Sequence, residues 1–277
     1  MAWIRVLFTI PEGGHDIALA MLSEYPFSAY AEEDGGLAGY IEEKDWTIAL
    51  REALLVQNGE YWKDFSDHQM PDVNWNKQWE TNFEPVIIPP FCGIRALFHP
   101  EIQNVQYEIV IQPEMAFGTG HHATTQLMIE GMSTMDFVGK KVLDFGSGTA
   151  VLAILAARMG AHTADAIEIE GPACESSRLN VERNHVEGTV HVIEGDVTLI
   201  PRKDYDILLA NINRNVLIHD LPTLDTHLGE SAKIGLSGFL DRDIADLTKS
   251  GTTLGWELTN KTQLADWVSL WWTKTSK

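Results

Sequence analysis

The 277-residue sequence predicts an α/β fold: a doubly wound parallel sheet, closed by an antiparallel C-terminal edge hairpin and preceded by a small α+β unit. Three observations carry this. From Lys140 onward, short apolar runs alternate with runs of helical spacing. Residues 251–274, "GTTLGWELTNKTQLADWVSLWWTK", break that alternation with two strand-like runs around a polar segment. The first 65 residues have a separate order of strand and helix signals.

In that first unit "WIRVLFTI" reads as a strand, "GHDIALAMLSEY" as a helix, "FSAYAEED" and "LAGYIEE" as a hairpin turning at Gly35-Gly36, and "WTIALREALL" as a second helix. Strand-helix-strand-strand-helix is a ferredoxin-like pattern. Its hairpin carries Glu32, Glu33, Asp34, Glu42, Glu43 and Asp45, and reads either as a solvated edge or as a docking face for a basic protein. The polar stretch "DFSDHQMPDVNWNKQWETNF", with Pro71, reads as a linker. The expected organisation is 1–65, a linker over 66–78, and a second domain over 79–277.

The second domain opens with strands in "EPVIIPPFCGIRALF" and "QYEIVIQP". It then alternates: strand "KKVLDF", helix "AVLAILAARMG", strand "TADAIEIE", helix "PACESSRLNVERNH", strands "TVHVIEGD" and "YDILLANI", and helix "NVLIHDLPTLDTHL".

The net charge of -20 repels nucleic acid phosphates and suits a basic partner, or serves solubility alone. Cys92 and Cys174 form neither a disulfide framework nor a zinc pattern, which fits a reducing cytosol. The N-terminus reads as a strand rather than a signal peptide, and no stretch approaches the roughly 20 apolar residues needed to span a bilayer. A cytoplasmic protein with no membrane association is expected.

Ligands of a doubly wound sheet bind beyond the carboxyl ends of its strands. In "VLDFGSGTA", Asp144 ends a strand, and Gly146 and Gly148 turn into a helix whose N-terminus offers free N–H groups. A dinucleotide loop needs a third glycine where this chain has Val151, so a pyrophosphate has less room and a dehydrogenase is disfavoured. Glu168, about twenty residues on, is placed to accept both hydroxyls of a ribose. Asp196, in "EGD", is either a turn former or an acceptor for an adenine amino group. Together these describe an adenosine pocket without a phosphate binder, and hence S-adenosylmethionine rather than NAD. Asn211 follows "YDILLA" at the pocket mouth. Ile212-Asn213-Arg214 after it supply no ring to stack on a planar base, which favours an aliphatic amine as methyl acceptor.

"AFGTGHHATT", Ala116 to Thr125, lacks the acid or cysteine partners of a metal site and the lysine of a phosphate cradle. It reads as a glycine flap, with Thr124 or Thr125 starting the next helix. No metal is expected.

"NWNKQWETNFEPVII", "QPEMAFGTGHHATT", "VLDFGSGTA", "LLANIN" and "GLSGFL" resemble the bacterial ribosomal protein L-eleven methyltransferases, the PrmA family, from about Val73 to the end of the chain. The resemblance implies a Rossmann-like seven-stranded methyltransferase sheet and an N-terminal substrate-recognition domain. It also implies S-adenosylmethionine-dependent methylation of the N-terminal α-amino group and lysine side chains of the large-subunit ribosomal protein eleven, without sequence-specific nucleic acid binding. By motif it assigns cofactor contacts to Thr125, Gly146, Glu168 and Asn211, and a covering loop to Phe117, Gly118, Thr119 and Gly120. The chain departs from the family's usual pattern at Gln112-Pro113-Glu114, at His121-His122-Ala123, at Ala150 in place of a third alternating glycine, and at Glu168 in place of Asp. Asn211 is the expected catalytic residue, its carbonyl orienting the amine. His122 is the one candidate base. The alternatives are a methyltransferase for another protein or RNA, and an inactive binding module.

Overall fold

The computed structural model describes residues 3–11, 14–23, 25–33, 36–57, 61–70, 84–112 and 122–275. The chain divides into two compact units, Met1–Phe83 and Glu84–Lys277.

The first unit contains β1 (Trp3–Thr9), α1 (His15–Leu22), β2 (Ala29–Glu33), β3 (Gly36–Glu42), α2 (Ile48–Val56) and β4 (Asp64–Gln69). Its antiparallel sheet has the order β2-β3-β1-β4. Alternation along β1 buries Ile4, Val6 and Phe8 on one face, where they meet Leu22, Ile41, Leu54 and Trp62. The linker expected from residue 66 starts later, because Asp64–Gln69 pairs with β1 as a strand. The polar sequence hid it: no residue of β4 is fully buried, and besides the ladder with β1 it is held by Phe65 against the core and by Asp67 paired with Arg51. Most of the remaining linker, 71–78, lies outside the described residues.

The second unit holds a three-stranded sheet of β5 (Val86–Ile88), β6 (Cys92–Arg95) and β7 (Tyr107–Val110), followed by α3 (Ala123–Met132). The main layer then alternates through β8 (Lys141–Phe145), α4 (Val151–Arg158), β9 (Thr163–Glu168), α5 (Gly171–Arg183), β10 (Val190–Glu194), β11 (Tyr205–Asn211), α6 (Arg214–Asp225), β12 (Leu228–Leu240), α7 (Ile244–Thr253), β13 (Trp256–Leu264) and β14 (Trp267–Lys274). Its seven strands have the order β10-β9-β8-β11-β12-β14-β13. The first five are parallel.

Parallel strands covered on both faces read as continuous apolar runs. Val142, Leu143 and Asp144 of β8 are all buried in this way. In α4, six of eight residues are buried, and each fully covered aliphatic side chain contributes about 1.5–3 kcal/mol. Chain order reverses at β8: β9 and β10 lie to one side, β11 and β12 to the other. That crevice is where ligands of such sheets bind.

The C-terminal hairpin closes the sheet at its edge. Within it the antiparallel strand β14 inserts between β12 and β13, so β13 is the outermost strand. Burial decides this: Val268 to Trp272 are covered, whereas β13 is exposed and polar over most of its length and suits an edge. Strand β12 and helix α7 had no clear sequence signature. Glu230, Ser231 and Lys233 interrupt the apolar run of β12.

Candidate active site

At the carboxyl ends of β8, β9, β11 and β12 lies a cavity of about 870 Å³, within the range of small-molecule sites. Asp144, Gly146, Gly148, Glu168, Asn211 and Thr125, each singled out in the sequence, line it. So do His122, Ser147, Ser176, Ile212, Gly238 and Trp267. Among the described residues no lysine or arginine lines it.

The glycine turn is built by close approach. Gly146 and Ser147 donate backbone N–H groups to the Ile167 carbonyl at 2.9 and 3.0 Å, tying the turn to β9. Gly146 adopts φ 72°, and a Cβ there would lie 2.1 Å from Ile212 Cγ2. Gly238 adopts φ 94°, and its Cβ would meet the Ile212 carbonyl oxygen at 2.2 Å. Glycine avoids both the positive-φ strain and the clash, which is with a side chain at Gly146 and with backbone at Gly238. Ala150, where the resemblance expects glycine, adopts the left-handed region at φ 62° while fully buried.

Glu168 is held by three backbone donors. Its Oε2 accepts from the Gly148 N–H at 2.9 Å, and its Oε1 from Ile169 and Glu170 at 2.8 and 3.0 Å. The carboxylate thus bridges the glycine turn and the start of α5. Burial pushes the Asp144 carboxyl up to about 7; the Ala153 N–H, 3.0 Å from Oδ2, opposes the rise, and the charge of Glu168 adds to it.

Helix α5 fastens this region to β7. Ser177 Oγ donates to the Gly148 carbonyl, and Asn180 Nδ2 donates to the Thr149 carbonyl at 3.3 Å. Asn180 Oδ1 accepts from the Gln112 N–H at 3.1 Å. Asn184 accepts from the Val110 N–H at 2.9 Å and donates to its carbonyl at 2.7 Å.

On the other side of the turn, Asn211 Nδ2 donates to Thr125 Oγ1 at 3.3 Å. Its Oδ1 is buried and has no partner. Ser147 Oγ and Ser176 Oγ are buried and unpartnered as well. Three unsatisfied polar atoms on the lining of one cavity mark a site that a polar ligand completes.

His122, not a threonine, caps α3. Its Nδ1 accepts from the Thr124 N–H at 3.4 Å and sits 2.7 Å from Thr124 Oγ1. That ring nitrogen is thus engaged at the start of α3. The ring also meets Trp267 edge to face, with centroids 4.6 Å apart and planes at 71°.

Asp196 is not brought to the cavity wall. Its Oδ1 accepts from the Thr198 N–H and hydroxyl at 2.8 and 2.6 Å, capping a single 3-10 turn. Those Thr198 bonds hold its carboxyl below the usual range. Phe117, Gly118, Thr119 and Gly120 lie outside the described residues, as do Pro113, Glu114 and His121.

In the first unit, Glu33 pairs with Arg5 and Glu42 with Lys44, while Glu43 and Asp45 remain exposed. Among the described residues, no helix is long and apolar enough to cross a membrane.

Trp267 and Gly238 were missed as site residues because strand pairing, not sequence proximity, brings them to the cavity. Gly238 had a signal in "GLSGFL". Trp267, opening the apolar run of β14, had none beyond its strand pattern.

A family model described as "Ribosomal protein L11 methyltransferase (PrmA)" matches residues 22–275. The ribosomal protein L11 methyltransferase of Phocaeicola vulgatus is 36% identical over 280 residues, covering 98% of each chain. That of Porphyromonas gingivalis is 37% identical over 270 residues, covering 96% of this chain and 92% of the other. The crystal structure of the ribosomal protein L11 methylase from Lactobacillus delbrueckii subsp. bulgaricus superposes with a TM-score of 0.64 at 22% identity, over 70% of this chain and 100% of that one, which shows a shared fold.

Proposed function

The chain belongs to the ribosomal protein L11 methyltransferase family and is a protein methyltransferase; on that premise we propose that it uses S-adenosylmethionine to methylate the N-terminal α-amino group and lysine side chains of ribosomal protein L11. The observation that carries this reading is Asn211, whose amide is fixed by Thr125 through Nδ2 while its Oδ1 stays buried without a partner beside the cavity.

The residues present fit the cofactor. Glu168 and the glycine turn receive the nucleoside. Ser147 Oγ and Ser176 Oγ are free to bond its polar groups, while Asp196, off the cavity lining, keeps Oδ1 on Thr198. A cavity lined by Asp144, Glu168 and Glu170 but by no described lysine or arginine suits a cation and disfavours a pyrophosphate. Bound there, the cofactor supplies a methyl group on a sulfonium, a leaving group that needs no acid.

The chain's task is to align a neutral amine, and positioning alone supplies roughly 7–11 kcal/mol. Asn211 Oδ1 accepts one N–H of the amine and turns its lone pair toward the methyl carbon. The neutral form of a lysine at pH 7 costs about 4–5 kcal/mol, and that of an α-amino group much less. His122, its Nδ1 engaged at the start of α3, does not act as the base, and the proton leaves to water.

The four-stranded unit, read as ferredoxin-like and extending through Gln69, recognises the protein substrate. Its exposed Glu43 and Asp45 attract a basic partner. The protein works in the cytoplasm, with no membrane and no sequence-specific nucleic acid. The test is the intact mass of purified ribosomal protein L11 after incubation with this protein and S-adenosylmethionine, beside enzyme-free and cofactor-free controls. Stepwise methyl additions are expected, and fragmentation then locates the amines. An unchanged mass, with cofactor binding established on the same sample, overturns the substrate assignment.

A further inference from the structure

We propose that Trp267 forms an ammonium-recognition subsite at the acceptor end of the cavity, with His122 holding its ring in place; this rests on the amine-methylation reading above. The sheet order fixes which end is which. Glu168 ends β9 on one side of the glycine turn, whereas Asn211 ends β11 on the other. Trp267 opens β14 and pairs with Leu240 at the carboxyl end of β12. Strand neighbours lie about 4.8 Å apart, so Trp267 stands two spacings, roughly 10 Å, to the side of Asn211 away from Glu168, and its partner Leu240 lies beyond Ser237, the partner of Asn211, along β12. A nucleoside anchored at Glu168 and reaching Asn211 leaves that end of the cavity to the acceptor.

The ring is held there by its neighbour. His122 meets it edge to face at 4.6 Å and is itself pinned to Thr124 at the first turn of α3. An indole face attracts cations through its quadrupole, and ammonium groups are its usual guests. The segment after Asn211, Ile212-Asn213-Arg214, provides no ring, and among the described residues the indole lining this cavity comes from a different strand, past the attacking position. There it receives an aliphatic ammonium on its way to Asn211 and selects for a charged, saturated amine.

The experiment compares wild type with Trp267→Leu and Trp267→Phe in the full chain. Calorimetry gives the Kd for S-adenosylmethionine, and methyl incorporation gives kcat and KM for ribosomal protein L11. W267L is expected to raise KM roughly two- to thirty-fold, with the cofactor Kd within two-fold of wild type, and W267F to recover most of the loss. An unchanged KM in W267L overturns the proposal. So does a cofactor Kd that weakens as much as KM, which assigns Trp267 to the cofactor, or a W267F as impaired as W267L. A second measurement needs no turnover. In protein labelled with 15N-tryptophan, the indole signal that W267F removes is followed during titration with tetramethylammonium chloride, against sodium chloride at equal ionic strength. A shift specific to the organic cation is expected, and no shift overturns the proposal. Wild-type enzyme that leaves ribosomal protein L11 unmethylated counts against the proposed function, and the titration still decides the subsite.

Discussion

In the proposed reaction Asn211 divides one amide between two tasks, and the division is testable. Nδ2 is committed to Thr125, so Oδ1 faces its role in a single orientation. Asn211→Ala is expected to lower kcat by roughly 10²–10³-fold, the scale set by loss of one preorganised polar contact to a reacting group. Thr125→Val removes only the support, and is expected to lower kcat about ten-fold with little change in cofactor Kd; steady-state kinetics and calorimetry check both. Asp144 gives a pH signature. Its folded pKa, about 7, lies above the ordinary carboxylate value, so between about pH 4 and 7 the folded protein binds more protons than the unfolded chain. Stability from this residue is therefore greatest in acid and is lost as pH rises through 7. The difference in unfolding free energy between Asp144→Asn and wild type is expected to move toward the asparagine variant by a few kcal/mol over that window. Urea unfolding at pH 5 and pH 8 measures it, and a difference independent of pH contradicts the assignment.

At the level of elements, three segments distant in sequence meet at Ile212: the turn after β8, the end of β11 and the bulged end of β12. The two glycines that accept it are not equivalent. Gly146→Ala places a methyl against the Ile212 side chain, so Gly146→Ala with Ile212→Ala is expected to recover part of a loss of roughly 1–3 kcal/mol. Gly238→Ala places a methyl against the Ile212 backbone, and the same partner change is expected to recover nothing. Thermal melts of the five proteins separate these cases. The glycine turn, β8, α4, β9 and α5 were legible in the sequence because burial on both faces and glycine punctuation act locally there. Glu168 and Asn211 were legible as strand ends. Strand β12 was not, because its charged residues face solvent on a strand whose apolar ones are covered, which blurs the period. The cap at His122 was missed because imidazole takes a place that serine or threonine usually fills. The turn-forming role of Asp196 was one of two readings left open, because a Gly-Asp at a strand end has the same appearance whether it caps a turn or meets a ligand.

At the level of the whole molecule, each unit holds buried clusters of its own among the described residues. One comprises residues between Ile4 and Trp62, and the other two lie between Val86 and Trp272. Residues 84–277 are therefore expected to fold alone and to bind S-adenosylmethionine within about three-fold of the full chain, while methylation of ribosomal protein L11 falls at least ten-fold, in keeping with rough losses of 1.4 kcal/mol or more. Calorimetry and methyl incorporation on the truncated protein give the two values. Helix α5 adds a consequence for communication. Its serine and first asparagine grip the carbonyls of Gly148 and Thr149, and its two asparagines grip the backbone of Val110 and Gln112. A helix fastened at both places behaves as a tie rod: strain entering at the nucleoside end reaches the far strand without passing through the sheet. Occupying the cavity should accordingly slow deuterium uptake at the Val110 and Gln112 amides. Asn180→Ala should uncouple Gln112 from that response while leaving Val110, held by Asn184, still responsive.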